Sequence, residues 1–142
     1  MRAIVPLLLL IFLSGPIIGK NNLKGKKQNR DTQKLIVVWT SGDPEVAEKV
    51  CFMYARNARL QGWFDEVGLI VWGPSAKLLS ENKALQESIR QMIADGVKVE
   101  ACVACANMYG VADQLKTMGI EVKGMGPVLS GYLKQNRKVL TF

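Results

Sequence analysis

Leu35-Ile-Val-Val-Trp39 is an unbroken apolar, largely β-branched run, and it constrains the fold more than any other stretch of the chain. A strand with one wet face alternates polar and apolar residues, whereas a run without alternation needs cover on both faces. The same pattern returns at Val67-Gly-Leu-Ile-Val-Trp72. A third strand is expected at Val97-Lys-Val-Glu-Ala101, here with a clear period of two.

Helical periods separate these strands. In Thr40-Ser-Gly-Asp43-Pro44, Asp43 is placed as an N-cap and Pro44 as the first helical residue. Ala47, Val50, Cys51, Tyr54 and Ala58 then share one helical face that ends near Gly62. Gly73-Pro74 closes the second strand, and Ser75 is placed to cap a short helix through Leu79. A longer helix carries Leu85, Ile89, Met92 and Ile93 and stops at Asp95-Gly96. After the third strand, Val111, Leu115 and Met118 mark a helix that ends at Gly119. Ile120-Glu-Val122 predicts a fourth strand, Gly124–Pro127 a loop, Val128–Leu133 a short helix and Val139–Phe142 a terminal strand. Strands and helices in turn, at this spacing, imply successive βαβ units and a largely parallel sheet. The expectation is an α/β protein, a single flavodoxin-like three-layer domain with a mostly parallel, roughly five-stranded sheet.

A chain of 142 residues has room for one such domain and little more. Its net charge of +7 suggests a nucleic-acid binder until the charges are located. Residues 1–34 hold seven Lys and Arg against Asp31 alone, a balance of +6. The remaining 35–142 carry only +1, so no nucleic-acid partner is expected for the body. Residues 1–19 have the parts of a secretory signal peptide: Arg2, the apolar run Ile4–Leu13, and the small-residue end Ser14–Gly19. That run is about half the ~20 residues a membrane span needs, so no permanent span is expected. Export to a periplasm is the reading, with an uncleaved N-terminal anchor as the alternative. The basic stretch 20–34 reads as a flexible linker and 35–142 as the folded domain.

The chemistry concentrates in Cys102-Val-Ala-Cys105, between the third strand and the helix that follows it. In open parallel sheets, working groups gather where strands end and helices begin. A helix N-terminus also favours negative charge, which makes a cysteine there easier to ionise. The chain has no histidine, so Ser-His and Cys-His catalytic pairs are ruled out. Three readings of the pair remain: two small residues packed in a buried turn, half of a shared zinc site, or thiol chemistry. No second cysteine pair completes a zinc site in one chain, and no metal is expected. Cys51, in mid-helix, reads as core, as do Trp39 and Trp72, although either tryptophan could wall a pocket at the strand ends. Neither the first βα turn nor Gly124-Met-Gly126-Pro127 forms a phosphate-binding fingerprint, so no nucleotide and no other cofactor is implied.

Gly-Val-Lys-Val-Glu-Ala-Cys102-Val-Ala-Cys105-Ala-Asn-Met-Tyr-Gly110-Val, followed by Gly119-Ile-Glu-Val, resembles the DsrE/DsrF-like family of sulfur-relay proteins. The likeness runs from about Leu35 to Phe142, and takes in Trp72-Gly-Pro74, Leu78-Leu79 and the Val-Leu-Thr-Phe ending. It implies that Cys102 carries a persulfide, taken from a sulfane-sulfur donor and passed to an unknown acceptor. It also implies a second cysteine at Cys105 and a homo-oligomer, a trimer or larger. The tRNA-thiolation members of that family are cytoplasmic, and this chain departs from them in its leader. Two alternatives stand beside the sulfur carrier. One is a non-catalytic oligomeric binding module with structural cysteines, and the other a thiol–disulfide redox protein using Cys102 and Cys105.

Overall fold

A computed structural model describes residues 32–135 and 137–142. The leader expected over 1–19 and almost all of the linker expected over 20–34 lie outside the described residues. Five strands, β1 (Lys34–Trp39), β2 (Glu66–Val71), β3 (Lys98–Cys102), β4 (Glu121–Lys123) and β5 (Lys138–Thr141), form one sheet in the order β4-β3-β2-β1-β5. Every pairing is parallel. β1 and β2 are buried from Leu35 to Trp39 and from Val67 to Val71, as their unbroken apolar runs require.

This strand order decides where the helices go. The chain steps from β1 to β2, β3 and β4 in one direction, then returns past all of them to β5. Parallel crossovers are right-handed, so connections running the same way fall on the same face and the returning one falls on the other. The first face is therefore packed by α1 (Pro44–Val46), a π-helical segment (Ala47–Phe52), α2 (Met53–Leu60), α3 (Pro74–Glu81), α4 (Lys83–Ala94) and α6 (Ala112–Thr117). Its core includes Val37, Trp39, Leu69, Leu79, Leu85, Ile89 and Leu115. The second face is covered by α7 (Met125–Lys134), over a smaller cluster built on Ile36, Val38 and Ile70.

Three local features differ from the sequence expectation. Val50 was expected on the buried face of the first helix, but it is 38% exposed, while Cys51 and Phe52 are buried. The π-helical turn holds one residue more than an α-turn, and this rotates Val50 outward and Phe52 inward. Phe52 then meets Trp39 edge to face at 4.9 Å. The helix after the cysteines is broken into α5 (Val103–Met108) and α6. Gly110, at φ +69°, ends α5 with Val111 N–H on Ala106 O (2.8 Å) and its own N–H on Asn107 O (3.0 Å). Those two bonds are a Schellman closure. Finally, Gly124–Pro127 is no loop. Gly124 is the N-cap of α7, and Pro127 sits in its first turn, where a missing N–H costs nothing.

Candidate functional site

β3 ends at Cys102, which has extended backbone (φ −71°, ψ 114°) and is also the N-cap of α5. Its side chain makes no capping bond, so it does not occupy the first-turn N–H groups. Cys105, three residues on, lies in the first turn of α5 and comes back to the strand end. The two cysteines that the sequence singles out are thus brought together. The two sulfurs share one small apolar cluster, and Cys102 and the Gly73 backbone are the polar neighbours that act on the Cys105 thiol. Burial, then the bond to Cys102, push the Cys105 thiol above its ordinary pKa, and the Gly73 N–H offsets this only in part.

Gly73 is held in place by Ser75. The sequence reading casts Ser75 as an N-cap, but the cap of α3 is Gly73 itself, at φ +71° and ψ −136°, with Pro74 following. Ser75 lies inside the first turn, fully buried. Its hydroxyl donates to Trp39 O (2.6 Å) and accepts from the Trp72 N–H (3.0 Å), which stitches the ends of β1 and β2 together. The positive φ of Gly73 is a conformation that side chains resist, and it turns the N–H toward the thiols.

Both thiols are only 6% exposed. They pack with Ile70 and Met125, beneath Val128, Leu129 and Tyr132 of α7 and beside Trp72. Cys51 is far from this pair in environment, within the core of the other face, and burial pushes its pKa to about 11.

Next to the cysteines is a charge cluster that the sequence did not reveal. The alternation of β3 implies a wet face for Glu100, yet Glu100 is 1% exposed. Lys98 Nζ and Lys123 Nζ each stand 2.7 Å from its Oε1, and the Tyr132 hydroxyl donates to its Oε2 at 2.8 Å. Burial alone would raise the Glu100 pKa, but the bonds from Lys123, Lys98 and Tyr132 outweigh it and hold the carboxyl below its ordinary value. The same carboxylate, together with Glu121 at 2.8 Å, holds Lys123 well above the ordinary lysine range. Lys123 is the β4 partner of Cys102 in the sheet register, so this cluster borders the thiols directly. A glutamate inside a strand is a visible signal, but its partners come from β4 and α7, and no spacing along β3 announces them. Cavities also open on the surface of the described residues. One of about 420 Å³ lies between Phe52, Met53, Arg56, Ser88 and Gln91, and one of about 290 Å³ is lined by Ile36, Gly68, Lys98, Glu100, Tyr132 and Arg137. Neither is lined by a cysteine.

Comparison with known proteins matches the fold and the stretch that carries this pair. The model of the DsrE/DsrF-like family matches residues 33–142. A solved structure of a conserved protein of unknown function from Bacteroides thetaiotaomicron, BT1422, is 34% identical, with a TM-score of 0.75 over 78% of this chain and 95% of that one. The ychN protein from E. coli is 19% identical, with a TM-score of 0.62 over 78% of this chain and 99% of that one. At that identity, the second likeness speaks for the fold alone. No curated protein matches this chain.

Proposed function

The chain belongs to the DsrE/DsrF-like family, which is related to sulfur relay, and from that premise we propose that it carries sulfane sulfur as a persulfide on Cys102. The observation that supports this most directly is the contact of the two thiols at the end of β3. There Cys102 ends the strand with its side chain uncommitted to any capping bond, and Cys105 returns to it from the first turn of α5. The strand-end position of Cys102 makes it the nucleophile in this reading. Its thiolate attacks the terminal sulfur of a polysulfide, forming a Cys102 Sγ–S bond as the adjacent S–S bond breaks. The shortened polysulfide leaves with the bonding electron pair, and the Cys102 proton passes to solvent. Discharge follows by either of two routes. An acceptor thiolate can attack the outer sulfur and regenerate Cys102. Alternatively, Cys105, once deprotonated, attacks Cys102 Sγ and expels hydrosulfide. That second route oxidises the pair to a disulfide and reduces the carried sulfur, so an external dithiol must restore the thiols.

With no histidine in the chain, no imidazole serves as base. Intact-protein mass after exposure to polysulfide tests the reading. Wild type gains the mass of sulfur, reversibly with reductant, and Cys105→Ser loads but does not cyclise. Cys102→Ser gains nothing; a sulfur adduct on that variant would overturn the assignment.

A further inference from the structure

The thiols that would accept sulfur are buried, and on their side of the sheet the helix over them is α7. Among the ten residues of α7, only Met125 is buried. Its N-cap, Gly124, makes no side-chain capping bond, and Gly126 and Gly131 within it weaken a helix relative to alanine. Besides the partly buried Val128 and Leu129, two residues tie the helix down. Met125, at its start, packs beside Cys102 and Cys105. Tyr132, two turns later, donates its hydroxyl to Oε2 of Glu100 at 2.8 Å. Glu100 is an unyielding anchor, because Lys98 and Lys123 grip its other oxygen at 2.7 Å each. The Tyr132 ring is steadied from outside by the Arg137 guanidinium, 4.4 Å from its centroid. Glu100 and Cys102 are two residues apart on β3, so both side chains project to the same face of the sheet, the one under α7.

We propose that α7 is a lid over the Cys102–Cys105 pair and that the Tyr132–Glu100 hydrogen bond is its latch. The proposal rests on the reading of this pair as reactive, and it adds how a donor gains access. In the closed state the thiols are shielded. Release of the latch lets α7 lift from Val38, Ile70 and the thiols, and exposes Cys102 to a small sulfane-sulfur donor. Tyr132 and Glu100 are positioning residues in this scheme, and neither touches the sulfur that moves.

The test is the rate of iodoacetamide labelling at each cysteine of the full chain, read by peptide mass spectrometry, in wild type and Tyr132→Phe. Phenylalanine keeps the ring, its packing and the face toward Arg137, and removes only the hydroxyl. A hydrogen bond to a charged group, once lost, favours the open state by about ten-fold or more. Cys102 and Cys105 should therefore label about ten-fold faster in the variant, while Cys51 stays protected. An unchanged rate at the pair overturns the lid. So does a rise that Cys51 matches, because that would report loosening of the whole domain. Polysulfide loading, followed in parallel, separates the two readings. If labelling accelerates but Cys102 never gains sulfur, the lid stands and the carrier reading falls.

Discussion

Glu100→Gln removes one charge from the centre of the second face while keeping the shape of the side chain and an acceptor oxygen. Breaking a buried ion pair at one end costs about 3–5 kcal/mol when the orphaned partner stays buried. Here the partners do not stay buried. Lys98 and Lys123 are 59% and 30% exposed at the side chain, and Glu121 stands 3.6 and 2.8 Å from them as a second counter-charge. The loss reduces to two ion pairs with part-exposed lysines, while the amide oxygen keeps the Tyr132 bond, so each pair contributes at the low end of the range for a charged contact, about 1.5–3 kcal/mol. A net cost of about 2–3 kcal/mol follows. For a folded body of about a hundred residues, that corresponds to a Tm lower by roughly 8–12 °C. The dependence on pH gives the sharper test. Burial pulls the Glu100 pKa up, and the bonds from Lys123, Lys98 and Tyr132 pull it further down, so the folded value lies below the unfolded one. A depressed carboxyl contributes stability that is complete above its unfolded value of about 4.3 and is lost as pH falls through the folded value. The difference in Tm between wild type and Glu100→Gln should therefore be full at pH 7 and shrink below about pH 4. Thermal melts followed by circular dichroism at pH 7, 5, 4 and 3 measure it. A difference that stays constant down to pH 3, or one under about 2 °C at pH 7, would refute the role given to this carboxylate.

Cys51, with its pKa pushed to about 11 by burial, should resist alkylation at pH 8 until denaturant is added; labelling of Cys51 ahead of Cys102 and Cys105 would show that the π-helical register is wrong. Self-association is the expectation for this domain, and light scattering should give a mass above that of the 15.7 kDa chain; a monomer at high concentration would count against it.

How much of this was legible in the sequence depends on how local each determinant is. β1 and β2 declare themselves, because a run such as Leu35–Trp39 leaves no polar face to expose. The cysteine turn is legible for the same reason: strand period, pair and helix period are adjacent in the chain. The π-helical turn is not, since Val50 and Phe52 exchange places through a shift in backbone hydrogen bonding that side-chain spacing does not record. Gly110 did carry its signal, a glycine just past the C-cap Tyr109, but the stripe from Val111 onward hides the break before it. The setting of Glu100 is the least local of all. Its alternation with Val99 and Ala101 tells which face it takes, but whether that face is wet depends on α7, more than twenty residues later.

The fold also sorts the three cysteines. Three crossovers in the same direction load one face of the sheet with several helices, and the return to β5 leaves the other face to α7. Cys51 falls inside the heavily packed layer, where reaching its thiol means opening the main core. Cys102 is the residue after Ala101, whose side chain belongs to that same main core, and the alternation of β3 turns Cys102 to the thinly covered side. A shift of one residue along β3 would exchange the two, and place the thiol where no small donor could arrive without unfolding the domain. The ending of the strand at Cys102 rather than at Ala101 therefore matters chemically. It brings the thiol to the start of α5, within reach of the S–H of Cys105, on the one side of the sheet where a single ten-residue helix is all that must move.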